Sequence, residues 1–366
     1  MLTFRKALIV AAVFITLILF LRSSHSGPES AVAASPEDIA YEISQETKGK
    51  TSSESSDSTQ QQPLKQPPPS ATAPLRERLR YHFPYNLEAK FPAYIWQTWK
   101  YTPASVWFSQ DLRRPEASWT EMNPNFVHQV IPDDTLHYLV KYLYGSIPEV
   151  LEAFNSMPIP VMKADFFRYL ILLARGGVYS DIDTTALKPV VDWLPDSLDL
   201  STIGFVVGIE ADPDRPDWHD WYSRRIQFCQ WTIQSKPGHP ILLDIVTYIT
   251  QEALRMKKAG ILKKGKMDKT VVEFTGPAAW TDAVFRYFND PEYFYVEPGT
   301  TRNITYEDFT NQVEYQKVGD VVVLPITSFS PGVQQMGAQG IDDPMAFVKH
   351  NFGGKPSLRR CPLMAI

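Results

Sequence analysis

Cysteine is nearly missing from this chain, with only Cys229 and Cys361 among 366 residues. Two thiols allow at most one disulfide, so a disulfide framework is excluded, and no Cys/His cluster has the spacing of a zinc site. Positive charge is scarce in runs. The formal net charge is −5, and the pairs Lys257-Lys258 and Lys263-Lys264 read as a solvated helix end and a loop. A nucleic-acid binder draws its affinity from neutralised phosphates, so no nucleic-acid partner is expected. No G-x-G-x-x-G or P-loop occurs, which leaves a Rossmann dehydrogenase or an NTPase unsupported, and there is no internal repeat. What the chain does have is 44% hydrophobic and 13% aromatic residues, enough for a full core.

Long apolar runs are absent apart from one near the start. Ala7 to Leu21 is 15 residues without a charge, with Thr16 alone polar, behind Arg5 and Lys6. As a helix it would span about 22 Å, close to a bilayer core once flanking residues are counted, and thin early secretory membranes suit it. A cleaved signal peptide is the competing reading, with Ala31-Val32-Ala33 as its small-residue site. Arg22, His25 and Pro28 before that site, and the length of the apolar run, favour an anchor. The basic residues then keep residues 1–6 in the cytosol and place everything after Leu21 in the lumen. Asn303-Ile304-Thr305, an N-glycosylation sequon, fits a lumenal face.

Arg22 to Ala73 is rich in Ser, Thr, Gln, Pro and Glu, including Gln60-Gln61-Gln62 and Pro67-Pro68-Pro69. Such composition buries too little apolar surface to offset the entropy of folding. The expected organisation is a cytosolic tail (1–6), a transmembrane anchor (7–21), a largely disordered stalk (22–80) and a folded domain (81–366) that opens with Trp96, Trp99, Trp107 and Trp119.

The richest stretch runs from Lys163 to Pro189. Phe166, Tyr169, Leu170 and Leu173 recur at helical spacing, and Gly176 stands where a left-handed C-cap would end the helix. Asp165 and Arg168, three apart, share a face of it. Val178-Tyr179-Ser180 reads as a short strand that carries Asp181 and Asp183 at its carboxyl end, where open α/β sheets hold their ligands. Residues two apart project from one side of a strand, so both carboxylates could hold Mg²⁺ or Mn²⁺ with a substrate diphosphate. Together these features read as a sugar-nucleotide and metal site. A second Asp-x-Asp, Asp212-Pro213-Asp214, sits among prolines and reads as a solvated turn.

Around this motif, strands are expected at Ala93 to Trp96, Phe126 to Ile131, Phe205 to Val207 and Val321 to Leu324. Helices are expected at Thr135 to Tyr144, Pro148 to Asn155, Pro240 to Met256 and Pro277 to Phe288. The alternation is that of a doubly wound α/β sheet.

Several segments together resemble the fungal Golgi initiation-specific α-1,6-mannosyltransferases. They are Trp96-Gln97-Thr98-Trp99; Lys163 to Tyr169 with Gly176 to Thr184; Gly208 to Trp218 and Arg224 to Trp231; and Phe329-Ser330-Pro331-Gly332-Val333. The likeness covers roughly Phe91 to Phe352. It implies a GT-A fold, a single catalytic domain with an open mixed sheet, and a type II protein of the Golgi membrane with a lumenal catalytic domain. The implied reaction is transfer of mannose from GDP-mannose to a high-mannose N-glycan core in α-1,6 linkage, with retention and with a divalent metal, Mn²⁺ ahead of Mg²⁺. No covalent nucleophile is identifiable, and a front-face mechanism assisted by the diphosphate is open.

By the same resemblance Asp165 accepts hydrogen bonds from mannose hydroxyls, and Arg168 donates to sugar or phosphate; an i,i+3 surface ion pair is the alternative. Trp96 stacks on guanine while Gln97 and Thr98 contact the nucleotide; a core role is the alternative for Trp96. His350 completes the metal shell with Asp181 and Asp183; a surface or packing role is its alternative. Pro158-Ile159-Pro160 and Gly276-Pro277 shape an acceptor cleft or are turn punctuation, and Trp218, Trp221 and Tyr222 stack on acceptor sugars or pack a core. Two other readings stay open: a non-catalytic donor- or glycan-binding subunit, and transfer to an inositol-phosphate sphingolipid. After Phe352 the family pattern continues Gly-Ser/Thr-Trp, whereas this chain reads Gly353-Gly354-Lys355-Pro356.

Overall fold

The computed structural model describes residues 67–294 and 303–352. The apolar run 7–21, most of the expected stalk and the tail after Phe352 lie outside the described residues. No helix among the described residues is long and apolar enough to cross a membrane.

The chain folds around a seven-stranded sheet in the order β2-β1-β3-β6-β5-β8-β7. These strands are β1 (Tyr94–Trp99), β2 (Val127–Pro132), β3 (Gly177–Ser180), β5 (Phe205–Ala211), β6 (Gln227–Ser235), β7 (Gln316–Val318) and β8 (Val321–Leu324). β1 pairs in parallel with β2 and β3, and β5 with β8. β6 runs antiparallel to both of its neighbours, β3 and β5, so the sheet is mixed rather than doubly wound in one sense. A separate antiparallel pair joins β4 (Thr184–Ala186) to β9 (Val348–His350).

One face of the sheet carries α3 (Asp133–Tyr144), α4 (Pro148–Ser156), α5 (Pro160–Arg175), α6 (Pro240–Lys258) and α8 (Pro277–Phe288), around Phe166, Tyr169, Ile233 and Trp280. The other face is smaller and is built from Trp119, Trp193, Trp231, Phe329 and Phe347. Trp119 belongs to α2 (Gln110–Met122), and Phe329 to α9 (Ile326–Phe329). The turn α7 (Val271–Phe274) precedes α8.

The helices expected at Pro148, Pro240 and Pro277 begin where a proline occupies the first helical position, as its fixed φ favours. α5 departs from the amphipathic reading. Every residue from Asp165 to Leu173 is buried, because the helix packs between the sheet and α6. It stops at Gly176, where φ is 65° and ψ −160°, a positive-φ end outside the left-handed helical region. A Cβ on Gly176 would come within 2.7 Å of the Ser235 carbonyl oxygen, so no other residue fits without a shift.

Two helices of eight or more residues lay outside the sequence reading. α2 holds Pro115 in its interior, which as a breaker argues against a helix. α1 (Leu75–His82) starts inside the expected stalk. Leu75 and Leu79 are buried against the main core and Arg78 pairs with Glu149, so the packed body begins before residue 81.

Candidate active site

The Asp181-Ile182-Asp183 segment leaves the carboxyl end of β3 as a turn, not as a continuing strand. Ile182 turns inward against Phe108 and Leu112, and the flanking aspartates stay partly exposed. The two carboxylates therefore share a side because of this turn, and the strand alternation expected from sequence is not the cause. The turn is held by backbone bonds. The Asp181 N–H donates to the Trp231 carbonyl at 2.8 Å, and the Asp181 carbonyl accepts from Thr184 Oγ1 at 2.6 Å and from Gln97 Nε2 at 3.1 Å.

β9 delivers the third member. Thr184 pairs with His350, and this register sets the imidazole beside the turn, with Nε2 3.6 Å from Asp183 Oδ1. Ligand atoms of Asp181, Asp183 and His350 all lie within 4.8 Å of one another. Two hard carboxylates and one imidazole can hold a divalent cation. His350 Nδ1 accepts the Phe352 amide N–H at 3.0 Å, which orients the ring with Nε2 toward Asp183.

Behind the triad lies a buried ionic chain. Arg168 Nη2 donates to Asp181 Oδ1 at 3.1 Å, and Nη1 lies 3.2 Å from Asp165 Oδ1. Asp165 and Arg168 are 3% and 4% exposed, so the alternative of a surface ion pair does not hold. Burial works against the Arg168 charge, but Asp181, Tyr179 and Asp165 outweigh it and raise its pKa. Burial pushes the Asp165 carboxyl up to about 6, against the opposing pull of Arg168 and Thr275. Asp165 Oδ2 accepts from Thr275 Oγ1 at 2.9 Å, so both of its oxygens face protein partners and its direct role is to fix Arg168. Tyr179 adds a hydroxyl to Asp181 Oδ1 at 3.0 Å and lays its ring 5.1 Å from the guanidinium carbon.

The expected nucleotide contacts fall inside this support. Trp96 is in the core, its indole N–H donating to the Gly176 carbonyl at 2.9 Å and its ring stacked on Tyr94. Gln97 bridges the Asp181 carbonyl and His128, whose imidazole burial lowers to about 4. Thr98 meets the Tyr179 hydroxyl at 3.2 Å. All three position the turn and its neighbours.

The second Asp-x-Asp is corrected in part. Asp214 is exposed, but Asp212 is buried at the end of β5. It pairs with Arg225 at 2.6 Å and accepts from Thr310 Oγ1 and the Asn311 N–H. The reading as a solvated turn failed because proline-rich composition says nothing of what a preceding strand buries. Trp218, Trp221 and Tyr222 are partly exposed on the segment that follows, and Asn303 is exposed. Pro160 starts α5, and Gly276 caps α8.

Sequence reasoning passed over Glu210 and Trp231. Glu210 Oε1 accepts the Trp231 indole N–H at 3.2 Å and Oε2 accepts Gln227 Nε2 at 3.0 Å. Burial raises its pKa, with the Gln227, Trp231, His350 and Arg168 interactions opposing. The available signal was an acid in an otherwise apolar strand, Phe205-Val206-Val207-Gly208-Ile209-Glu210-Ala211.

Residues 110–199 match the family described as glycosyltransferase sugar-binding region containing DXD motif. The initiation-specific alpha-1,6-mannosyltransferase of Candida albicans is 48% identical over 291 residues, 76% of each chain. The protein of that name in Schizosaccharomyces pombe is 45% identical, over 75% of this chain and 66% of its own. The one in Saccharomyces cerevisiae is 34% identical, over 76% and 81%. With its α/β body, its mixed GT-A-like sheet and its DXD turn at a strand end, the chain belongs to the initiation-specific α-1,6-mannosyltransferase family of glycosyltransferases.

Proposed function

We propose that the protein transfers mannose from GDP-mannose to the core of protein N-glycans in α-1,6 linkage, with retention, and so initiates an outer mannan chain. The observation that carries this reading is the convergence of Asp181, Asp183 and His350 within 4.8 Å on the carboxyl side of β3, beside a buried Arg168. A divalent cation, Mn²⁺ ahead of Mg²⁺, would be held by those three side chains and would supply charge stabilisation for a diphosphate leaving group.

The chain's own residues set the rest. Arg168, kept charged by Asp165 and Asp181, offers guanidinium N–H donors to the donor phosphate or sugar. Tyr179, Gln97 and Thr184 hold Asp181 in place so that little reorganisation accompanies charge development. Trp218, Trp221 and Tyr222 offer partly exposed aromatic surface for acceptor sugars. The apolar run at Ala7 to Leu21 behind Arg5 and Lys6 supports a single-pass type II arrangement in the Golgi membrane with a lumenal catalytic domain.

The test is to incubate the full chain with GDP-mannose, or with UDP-sugars, and a defined high-mannose N-glycan, with and without Mn²⁺, and to assign the product linkage and anomeric configuration by NMR. A new α-1,6-mannose formed from GDP-mannose alone, and lost on chelation, is expected. A β-linked product, transfer from a UDP-sugar, or full turnover in chelator would overturn the corresponding part of the proposal.

A further inference from the structure

Trp231 touches the metal triad at two points. Its carbonyl accepts the Asp181 N–H at 2.8 Å, and its indole stands edge-on to the His350 imidazole with centroids 4.8 Å apart. One residue of β6 thus contacts both the first aspartate of the turn, which follows β3, through its backbone carbonyl, and the histidine, which ends β4's partner strand β9, through its ring. A tryptophan ring so placed needs its own rotamer fixed, and the indole N–H is the only polar handle it has.

That handle is taken by Glu210. The β5–β6 register shifts on both sides of Ile209, and such irregularities re-aim side chains next to functional sites. Glu210 lies in this irregular stretch, where Oε1 accepts the Trp231 indole N–H at 3.2 Å. Gln227 Nε2 donates to Oε2 at 3.0 Å, and Gln227 is in turn oriented by the Ser223 hydroxyl at 3.0 Å. The order of contacts is Ser223, Gln227, Glu210, Trp231, and then Asp181 and His350.

We propose that Glu210 is a positioning residue of the metal site, holding the Trp231 indole so that His350 keeps its place beside Asp181 and Asp183. The inference rests on the reading of Asp181, Asp183 and His350 as metal ligands. Partners that orient ligands from outside the coordination shell commonly change metal affinity about 10–100-fold when removed. The role asked of Glu210 is that of a hydrogen-bond acceptor, which glutamine can also fill if the Gln227 amide turns over.

The experiment is Mn²⁺ titration of the full chain by electron paramagnetic resonance, with kcat and KM for GDP-mannose measured alongside. E210A should weaken Mn²⁺ binding about tenfold and lower kcat. E210Q should restore both to within about threefold of wild type, as the cited range for lost ligand orientation would not allow for a missing partner. Trp231→Phe, which keeps a ring against His350 but loses the N–H, gives a second route should E210A fold poorly; it should weaken Mn²⁺ binding as E210A does. The double variant should be no worse than either single, because both remove one contact. Unchanged Mn²⁺ affinity in E210A and W231F, additive losses in the double variant, or equal damage from E210Q and E210A would each overturn the role. A wild-type chain that bound no Mn²⁺ would instead remove the metal reading and this inference with it.

Discussion

His350 Nε2 stands 3.6 Å from Asp183 Oδ1, across the Thr184–His350 pairing of β4 with β9. The same short ladder is pinned by Asn351, whose backbone N–H and side-chain amide both donate to the Asp183 carbonyl, at 2.8 and 3.1 Å. His350→Ala should therefore remove a ligand and leave the turn in place. Mn²⁺ affinity should fall at least about tenfold while the melting temperature stays nearly constant. A large drop in melting temperature with metal affinity retained would count against ligation by His350.

The two aspartates of the motif should separate in stability. Asp183→Ala is expected to abolish turnover with little thermal effect. Asp181→Ala should abolish turnover and also destabilise, by about 1–3 kcal/mol, because buried Arg168 loses one of its two carboxylates. Calorimetry on both variants checks this, and equal melting temperatures would show that Asp165 alone suffices for Arg168.

Asp212 and Asp214 make the reverse comparison. Asp212→Ala should cost about 3 kcal/mol, since Arg225 and the Asn311 N–H lose a buried carboxylate. Asp214→Ala, at an exposed position, should leave stability and Mn²⁺ affinity unchanged. Loss of metal binding in the Asp214 variant would point to a second cation site that the geometry does not support.

Asp165 has a pH signature. Its carboxyl sits at about 6 in the fold, against 3.8 for the ordinary side chain, chiefly through burial. The folded chain thus holds this proton at pH values where the unfolded chain has released it. Its contribution to stability is greatest below about pH 4, declines up to about pH 6 and is constant above. The melting temperature of wild type minus that of Asp165→Asn should fall across this window and then level. A difference that rises with pH would contradict the assignment.

Helix α1 marks where the packed body starts. A chain beginning at residue 67 keeps Leu75, Leu79 and the Arg78–Glu149 pair, and one beginning at residue 82 loses them all. Removing two buried leucines should destabilise the shorter chain by several kcal/mol, on the order of 2–5 for each. Matching denaturation midpoints would return the boundary to the stalk composition.

Much of this protein was legible because the signals are local. Val321–Leu324 and Pro277–Phe288 appear as the residue pattern sets them, the first by a run of β-branched residues, the second by proline at its first turn and helical spacing of its apolar residues. Asp165, Arg168, Asp181 and Asp183 were visible for the same reason: helix, glycine stop, strand and carboxylates follow one another within a short stretch of chain. The resemblance added His350, which no local pattern marks.

The tertiary structure decided the rest. Whether Asp212 is a solvated turn or a buried anchor depends on Arg225, Thr310 and Asn311, which approach from other segments. Trp96 could stack on a base or fill the core, and the Gly176 carbonyl and the Tyr94 ring place it in the core. Glu210 reaches Asp181 through Trp231, on a different strand. Residue type and spacing determine which backbone conformations are cheap and which groups carry charge. Which of those groups meet depends on strand order and register, and these arise from long-range closure and packing that no short window of sequence contains.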